Sequence, residues 1–249
     1  MIKYVFLGIV QGLTEFFPVS SKGHLVFLQH ALHMQGEEIV LPVVLHLGTL
    51  AAVIVFLRRE LKQLFSDRQL LVLVLVPTLI TALIGVAGKK FFEGLFLRPG
   101  VVAPGMIFTG LVLLFTRSRT ASVTSRERIG LRDSVWAGLA QSLAIIPGIS
   151  RSGMTISSLL LRKADKASAF TFSFLISVPA VLGASLLEFK DIRQAAHVDA
   201  FNLLIGFVFS LVSGIAALFL LKRMLARDKF HYFGYYCLAM GIVLSLMAF

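Results

Sequence analysis

The chain has 249 residues, 57% of them hydrophobic and 15% charged, with a mean hydropathy of +0.87 and a net charge of +11. Soluble domains carry about 25% charged residues, and a soluble core of this size has no use for so much apolar surface, so the natural solvent is a bilayer. The cations fall in short clusters between apolar runs, as membrane loops do, which argues against a nucleic-acid surface; the lack of long alternating strands argues against a β-barrel.

The first apolar stretch, residues 2–32, is broken near its middle by "PVSSKGH" (18–24). Pro18 removes a helix donor, Gly23 permits a turn, and neither half is long enough to cross alone. The N-terminus mimics a signal peptide, with Lys3 ahead of a short apolar run. It has no A-x-A-like cleavage site and Glu15 interrupts it, so it reads as retained. Three stretches long enough to span follow, at 40–57, 70–88 and 101–116, joined by polar linkers at 58–69 and 89–100. A basic linker at 117–133 leads to a second broken stretch, 134–160, interrupted by "PGISRSG" (147–153). Three more spans follow at 168–187, 201–221 and 232–249. Cys237, in the last of them, is the sole cysteine. It excludes an internal disulfide and reads as a small core residue.

Backbone broken at membrane depth is tolerated only where protein or a wet cavity surrounds it. Both broken stretches are therefore expected to be re-entrant hairpins. They are also related. Pro18, Ser21 and Lys22 lie in register with Pro147, Ser150 and Arg151, and each set follows a Gln-x-Leu, Gln11-Gly-Leu in the first and Gln141-Ser-Leu in the second. The sequence thus reads as an all-α polytopic membrane protein: six transmembrane helices plus two re-entrant helical hairpins, in an inverted-topology repeat. It forms one integral membrane domain, 1–249. Repeat one is 1–117, repeat two 131–249, and 118–130 is a cytoplasmic linker. With the first hairpin on one side, sixteen Lys and Arg fall on the opposite side and six on the same side. The positive-inside bias then puts both termini and the mouth of the first hairpin outside.

An ionisable group in lipid is costly and usually functional. Glu15 is the one acidic residue deep in an apolar run, with Gln11 one helical turn before it. The first break adds Ser20, Ser21, Lys22 and His24; the second offers Ser150, Arg151, Ser152, Gly153 and Thr155. Hydroxyls, a guanidinium fork and free N–H groups at a helix start favour a phosphate. A carboxylate repels phosphate, so Glu15 needs a separate reason, as a general base or as the holder of a divalent cation. Plainer readings stand beside these. Arg151 could merely pair with Glu15, the serines could cap broken helices, and Lys22 could snorkel outward. His46, in "LHLGT", reads as packing or lining, and His30, His33, His197 and His231 read as solvated loop residues.

These residues resemble a known family. "QGLTEFFPVSSKGH" (11–24) is similar to the first signature of the bacterial undecaprenyl-diphosphate phosphatases of the bacitracin-resistance type, and "PGISRSGMT" (147–155) to the second. "LHLGTLAAVIVFLRRE" (45–60) resembles the segment after the first hairpin. The resemblance covers nearly the whole chain. It implies hydrolysis of undecaprenyl diphosphate to the monophosphate carrier lipid and phosphate, in the bacterial cytoplasmic (inner) membrane with the site facing outside. That recycles the carrier for peptidoglycan and envelope synthesis and confers bacitracin resistance. By position it implies that Glu15, Ser21, His24 and Arg151 are catalytic. Ser20, Lys22, Ser150, Arg151, Ser152, Gly153 and Thr155 would then bind phosphate. It also implies a divalent cation, Mg²⁺ or Ca²⁺, near Glu15 and Gln11. Gln11 stands where many members have Glu, and Lys22 where Ser or Thr is usual. The expected partners are the polyprenyl diphosphate and membrane lipids, with no nucleic acid and a homodimer left open. A transporter or flippase of polyprenyl phosphate is the alternative, because inverted repeats with broken helices also build transporters.

Overall fold

A computed structural model describes residues 1–31, 40–96, 99–120, 128–192 and 199–246. His33, His197 and residues 121–127 of the basic linker lie outside them, as does the side chain of His30. Among the described residues every extended element is a helix and there is no strand. The first broken stretch forms α1 (Ile2–Phe16) and α2 (Ser21–Ala31), and the second forms α8 (Leu131–Leu143) and α9 (Arg151–Leu161). The unbroken apolar stretches form α3 (Val40–Phe56), α5 (Arg68–Ala87), α7 (Val102–Thr120), α10 (Lys166–Ile192), α11 (Ala200–Ala226) and α12 (Tyr232–Leu246). Two short helices occupy expected linkers: α4 (Arg58–Gln63) and the amphipathic α6 (Lys89–Phe96).

Among the described residues three helices are long and apolar enough to cross a membrane by themselves, over Arg68–Ala87, Lys166–Leu186 and Ala200–Ala226. Val40–Phe56, Val102–Arg117 and Tyr232–Leu246 are apolar but shorter. Several helix starts are fixed by side chains that satisfy free N–H groups. Asp67 accepts from Leu70 N at 3.0 Å and Asp199 from Phe201 N at 3.0 Å. Pro77 and Pro179 sit inside α5 and α10, which neighbouring helices permit at membrane depth.

The helices pack as pairs across the two halves. α1 lies on α11 and α8 on α5; α3 also packs on α11 and α10 on α5; α7 crosses α12 and α3 touches α10. Swapping each element of one half for its counterpart in the other maps these contacts onto one another. Small residues permit the close crossings, since apolar helices in lipid associate through tight packing. A Cβ on Gly12 would stand 2.0 Å from Ser213 Oγ and 2.5 Å from the Ser210 carbonyl on α11. Gly110 and Gly234 meet backbone to backbone where α7 crosses α12.

The main core gathers Phe16, Phe170, Phe174, Ile176, Leu218 and Leu221 between α1, α10 and α11. The outer faces are apolar too: Leu79, Leu83, Phe115, Val212 and Phe219 are exposed, as lipid-facing side chains would be. His231, expected in solvent, is buried instead. Its ring lies 4.4 Å from that of Tyr232 and 6.2 Å from that of Tyr235, a packing that sequence position at a loop end did not reveal.

Candidate active site

Both breaks need unusual backbone, and in both the protein satisfies it. α1 stops at Phe17, which is extended; Val19 N then bonds Phe17 O at 2.7 Å, and Ser20 adopts φ +64° before α2 begins. The Pro18 carbonyl accepts from the buried Cys237 Sγ at 3.2 Å, so the thiol reaches the tip of the first hairpin from α12. In the second break Gly148 takes φ +88°, and a Cβ there would meet the Val102 carbonyl at 2.1 Å, so only glycine fits. Thr109 of α7 accepts from Ser150 N at 3.1 Å and reaches the Gly148 carbonyl at 3.3 Å. The tips touch each other: a Cβ on Gly153 would lie 3.1 Å from Pro18 Cβ.

This contact brings Arg151, first residue of α9, to Glu15, in the last turn of α1. Arg151 donates to Glu15 Oε1 at 2.5 Å. The other carboxylate oxygen, Oε2, accepts from Ser21 Oγ at 2.5 Å and from Gln11 Nε2 at 3.1 Å. His46 Nε2 of α3 stands 3.4 Å from the same oxygen. The Glu15 side chain is 8% exposed, and Arg151, at 18%, opens onto a small cleft lined by Phe16, Thr49, Leu50, Val53, Ser177 and Val181. An unpaired charge so placed would be prohibitive; here carboxylate and guanidinium neutralise each other and every Glu15 oxygen is hydrogen-bonded.

The other expected site residues divide. Ser150 caps α9, accepting from Gly153 N at 3.2 Å, and its hydroxyl lies 3.2 Å from that of Ser152. Thr155 donates to the Arg151 carbonyl at 2.8 Å and meets Ser173 Oγ at 2.5 Å. These residues build the helix start that aims Arg151. Ser20 is buried at the first tip, and Lys22 is exposed on the first turn of α2. His24 turns away from Glu15. Its Nδ1 bonds the Ser20 carbonyl at 2.9 Å and its Nε2 the Tyr236 hydroxyl at 2.6 Å, with the two rings stacked. Both ring nitrogens of His24, expected to be catalytic, are thus taken by Ser20 and Tyr236, because the α2 helix points that ring at α12.

Sequence reasoning read His46 only as packing or lining and passed over Thr49 and Ser177. For His46 the signal was present: it is an ionisable group inside an apolar span, the rule that found Glu15. Among the described residues no three His, Cys, Asp or Glu side chains cluster as a self-contained metal site. The fully buried Gln11 does leave its Oε1 without a hydrogen-bond partner, beside the Glu15 carboxylate. One carboxylate and one free amide oxygen suit a hard cation that takes its remaining ligands from a phosphate substrate and water.

The model of the bacitracin resistance protein BacA family matches residues 4–243. The chain belongs to the BacA family. Relatives named undecaprenyl-diphosphatase align along its length. The one from Carboxydothermus hydrogenoformans is 36% identical over 97% of this chain and 95% of its own. That from Halothermothrix orenii is 35% identical over 100% and 98%, and that from Rhodopirellula baltica 37% identical over 99% and 98%. The family match spans both broken stretches.

Proposed function

We propose that this BacA-family chain is an undecaprenyl-diphosphate phosphatase, splitting the anhydride of undecaprenyl diphosphate into undecaprenyl phosphate and inorganic phosphate. The carrier lipid so released re-enters peptidoglycan and envelope synthesis, and removal of the diphosphate underlies bacitracin resistance. The observation that carries the residue roles is the carboxylate of Glu15, bonded at once by Ser21 of the first break and by Arg151, 136 residues away in the second.

Ser21 already donates its proton to Glu15, the arrangement of a nucleophile with its base. The oxygen that attacks the terminal phosphorus is Ser21's own or that of a water held in its place; in either case Glu15 takes the proton. The bond to the bridging oxygen breaks, and undecaprenyl phosphate leaves as an anion that needs no proton. On the serine route a water then attacks the phosphoserine, the Ser21 oxygen leaves and takes back the proton held by Glu15, and inorganic phosphate is released. Arg151 moves from Glu15 to the phosphoryl oxygens, where its fork matches two of them. Ser150, Ser152, Gly153 and Thr155 hold the start of α9, whose free N–H groups favour the same anion. Ser20 shapes the first tip, and Lys22 offers a second cation at the mouth. His24 orders α2 against α12. A divalent cation would be held by Glu15 and Gln11 Oε1 and would neutralise charge on the diphosphate.

Six spanning helices and two re-entrant hairpins in an inverted repeat are the arrangement we assign to the membrane, supported by the contact pattern between halves. The cation bias puts the mouth of the first hairpin and both termini outside. Transport of polyprenyl phosphate alone would require binding but no base beside a hydroxyl, and the relatives carry the name of a hydrolase.

The test is phosphate release from undecaprenyl diphosphate in detergent with Mg²⁺ or Ca²⁺. The wild type is expected to turn over. Glu15→Gln and Ser21→Ala should each lose about 10²- to 10⁴-fold in kcat and Arg151→Ala about 10²- to 10³-fold, with helical content unchanged. Folded wild type without phosphate release would refute the assignment.

A further inference from the structure

His46 belongs to neither signature break, yet it is the only residue of an unbroken apolar helix with an ionic contact to Glu15 among the described residues. Its position is fixed from several sides. The ring Nδ1 bonds the Pro42 carbonyl one turn earlier at 2.7 Å, and Thr49 Oγ1 ties the His46 carbonyl at 2.8 Å. Gly48, two residues on, presses α3 against the Phe207 carbonyl and Ser210 of α11. The Nδ1 edge is thereby spent within α3, and the Nε2 edge is the one turned to Glu15 Oε2.

The Glu15 carboxylate divides its duties between its two oxygens. Oε1 faces Arg151, and Oε2 faces Ser21, Gln11 and His46. A diphosphate that engages Arg151 draws the guanidinium from Oε1. The carboxylate then loses its strongest partner at the moment Oε2 must receive a proton from the attacking oxygen. What stays behind is Gln11 and His46, and only His46 comes from an element outside the first hairpin. We infer that His46 is a positioning residue: once substrate has engaged Arg151, it holds Glu15 Oε2 aimed at the Ser21 hydroxyl. The inference rests on the phosphatase reading. It asks only for an N–H that reaches Glu15, so an amide of the right length can replace the ring.

The experiment compares kcat and KM for phosphate release from undecaprenyl diphosphate among wild type, His46→Gln, His46→Asn and His46→Leu. Circular dichroism melting checks that each is folded. His46→Gln is expected to stay close to wild type. His46→Asn, polar but one methylene shorter, and His46→Leu should lose about 10- to 100-fold in kcat with KM little changed, the usual cost of removing an orienting partner. Because Asn fits more loosely than Leu, the contrast between Gln and Asn stands even if His46→Leu misfolds. Wild-type kcat in His46→Asn, equal loss in Gln and Asn, or a loss confined to KM would each overturn the inference. A wild type that releases no phosphate would bring down the phosphatase reading first, and the inference with it.

Discussion

Glu15 gathers the polar contacts of the candidate site. It is buried in a membrane protein, and each of its oxygens is bonded by a group that the proposed reaction uses. Its salience in the sequence came from cost, since few acidic residues are left in apolar runs without a purpose. The same reasoning, applied to His46, would have reached the second ionisable group of the site. What sequence could not give was direction. His24 lies three residues from Ser21 yet faces Tyr236, because rotation along α2 turns successive side chains to different neighbours. The hydroxyls of Ser150 and Thr155 were legible as a polar helix start, but their partners Thr109 and Ser173 come from other helices and left no trace in local spacing. Gln11 is the residue whose role is most open to direct test. Its Oε1 is buried and unpartnered, and its Nε2 is spent on Glu15. Gln11→Leu is expected to raise the Mg²⁺ or Ca²⁺ concentration for half-maximal activity by about 10- to 100-fold while the fold persists. Metal titration of the initial rate measures it; an unchanged midpoint would remove Gln11 from the cation site.

At the scale of elements, composition located the helices well and packing decided their ends. The stretch 40–57 becomes α3 at Val40–Phe56 and 70–88 becomes α5 at Arg68–Ala87, since apolar runs in lipid have no alternative to helix. α10 and α11 run beyond the apolar stretches that announced them, into Lys- and Arg-bearing turns, because a helix continues through polar residues where nothing breaks it. The breaks were visible from proline and glycine, but the thiol of Cys237 that serves the first tip was read as plain packing. The α1–α11 crossing depends on the absence of a side chain at Gly12. Gly12→Val would drive a branched side chain into Ser213 and into the backbone of α11 at Ser210 and Gly214, which cannot rotate aside. It is expected to destabilise the folded protein by about 1–3 kcal/mol or more and to lower the melting temperature in detergent. An unchanged melt would show that α1 does not lie on α11 as described.

At the scale of the molecule, the pairs α1–α11 and α8–α5, and α3–α11 and α10–α5, mirror each other across the two halves, and the candidate site lies where the broken tips touch. Neither half holds a complete set: the first supplies the carboxylate, the hydroxyl, the amide and the imidazole, and the second supplies the guanidinium. The register between the breaks and the family resemblance made this division legible, while the tip-to-tip contact of Gly153 with Pro18 appears only in three dimensions. The apolar outer faces of α5, α7 and α11 suit lipid, and a substrate with a long prenyl tail shares that solvent. The most direct test of a site shared between halves is a double-mutant cycle on phosphate release: wild type, Glu15→Gln, Arg151→Ala and the double variant. Residues that act as one unit are not additive, so the double variant should be scarcely slower than the worse single one. Losses that multiply, or an Arg151→Ala enzyme as fast as wild type, would mean that the two residues do not form one catalytic centre.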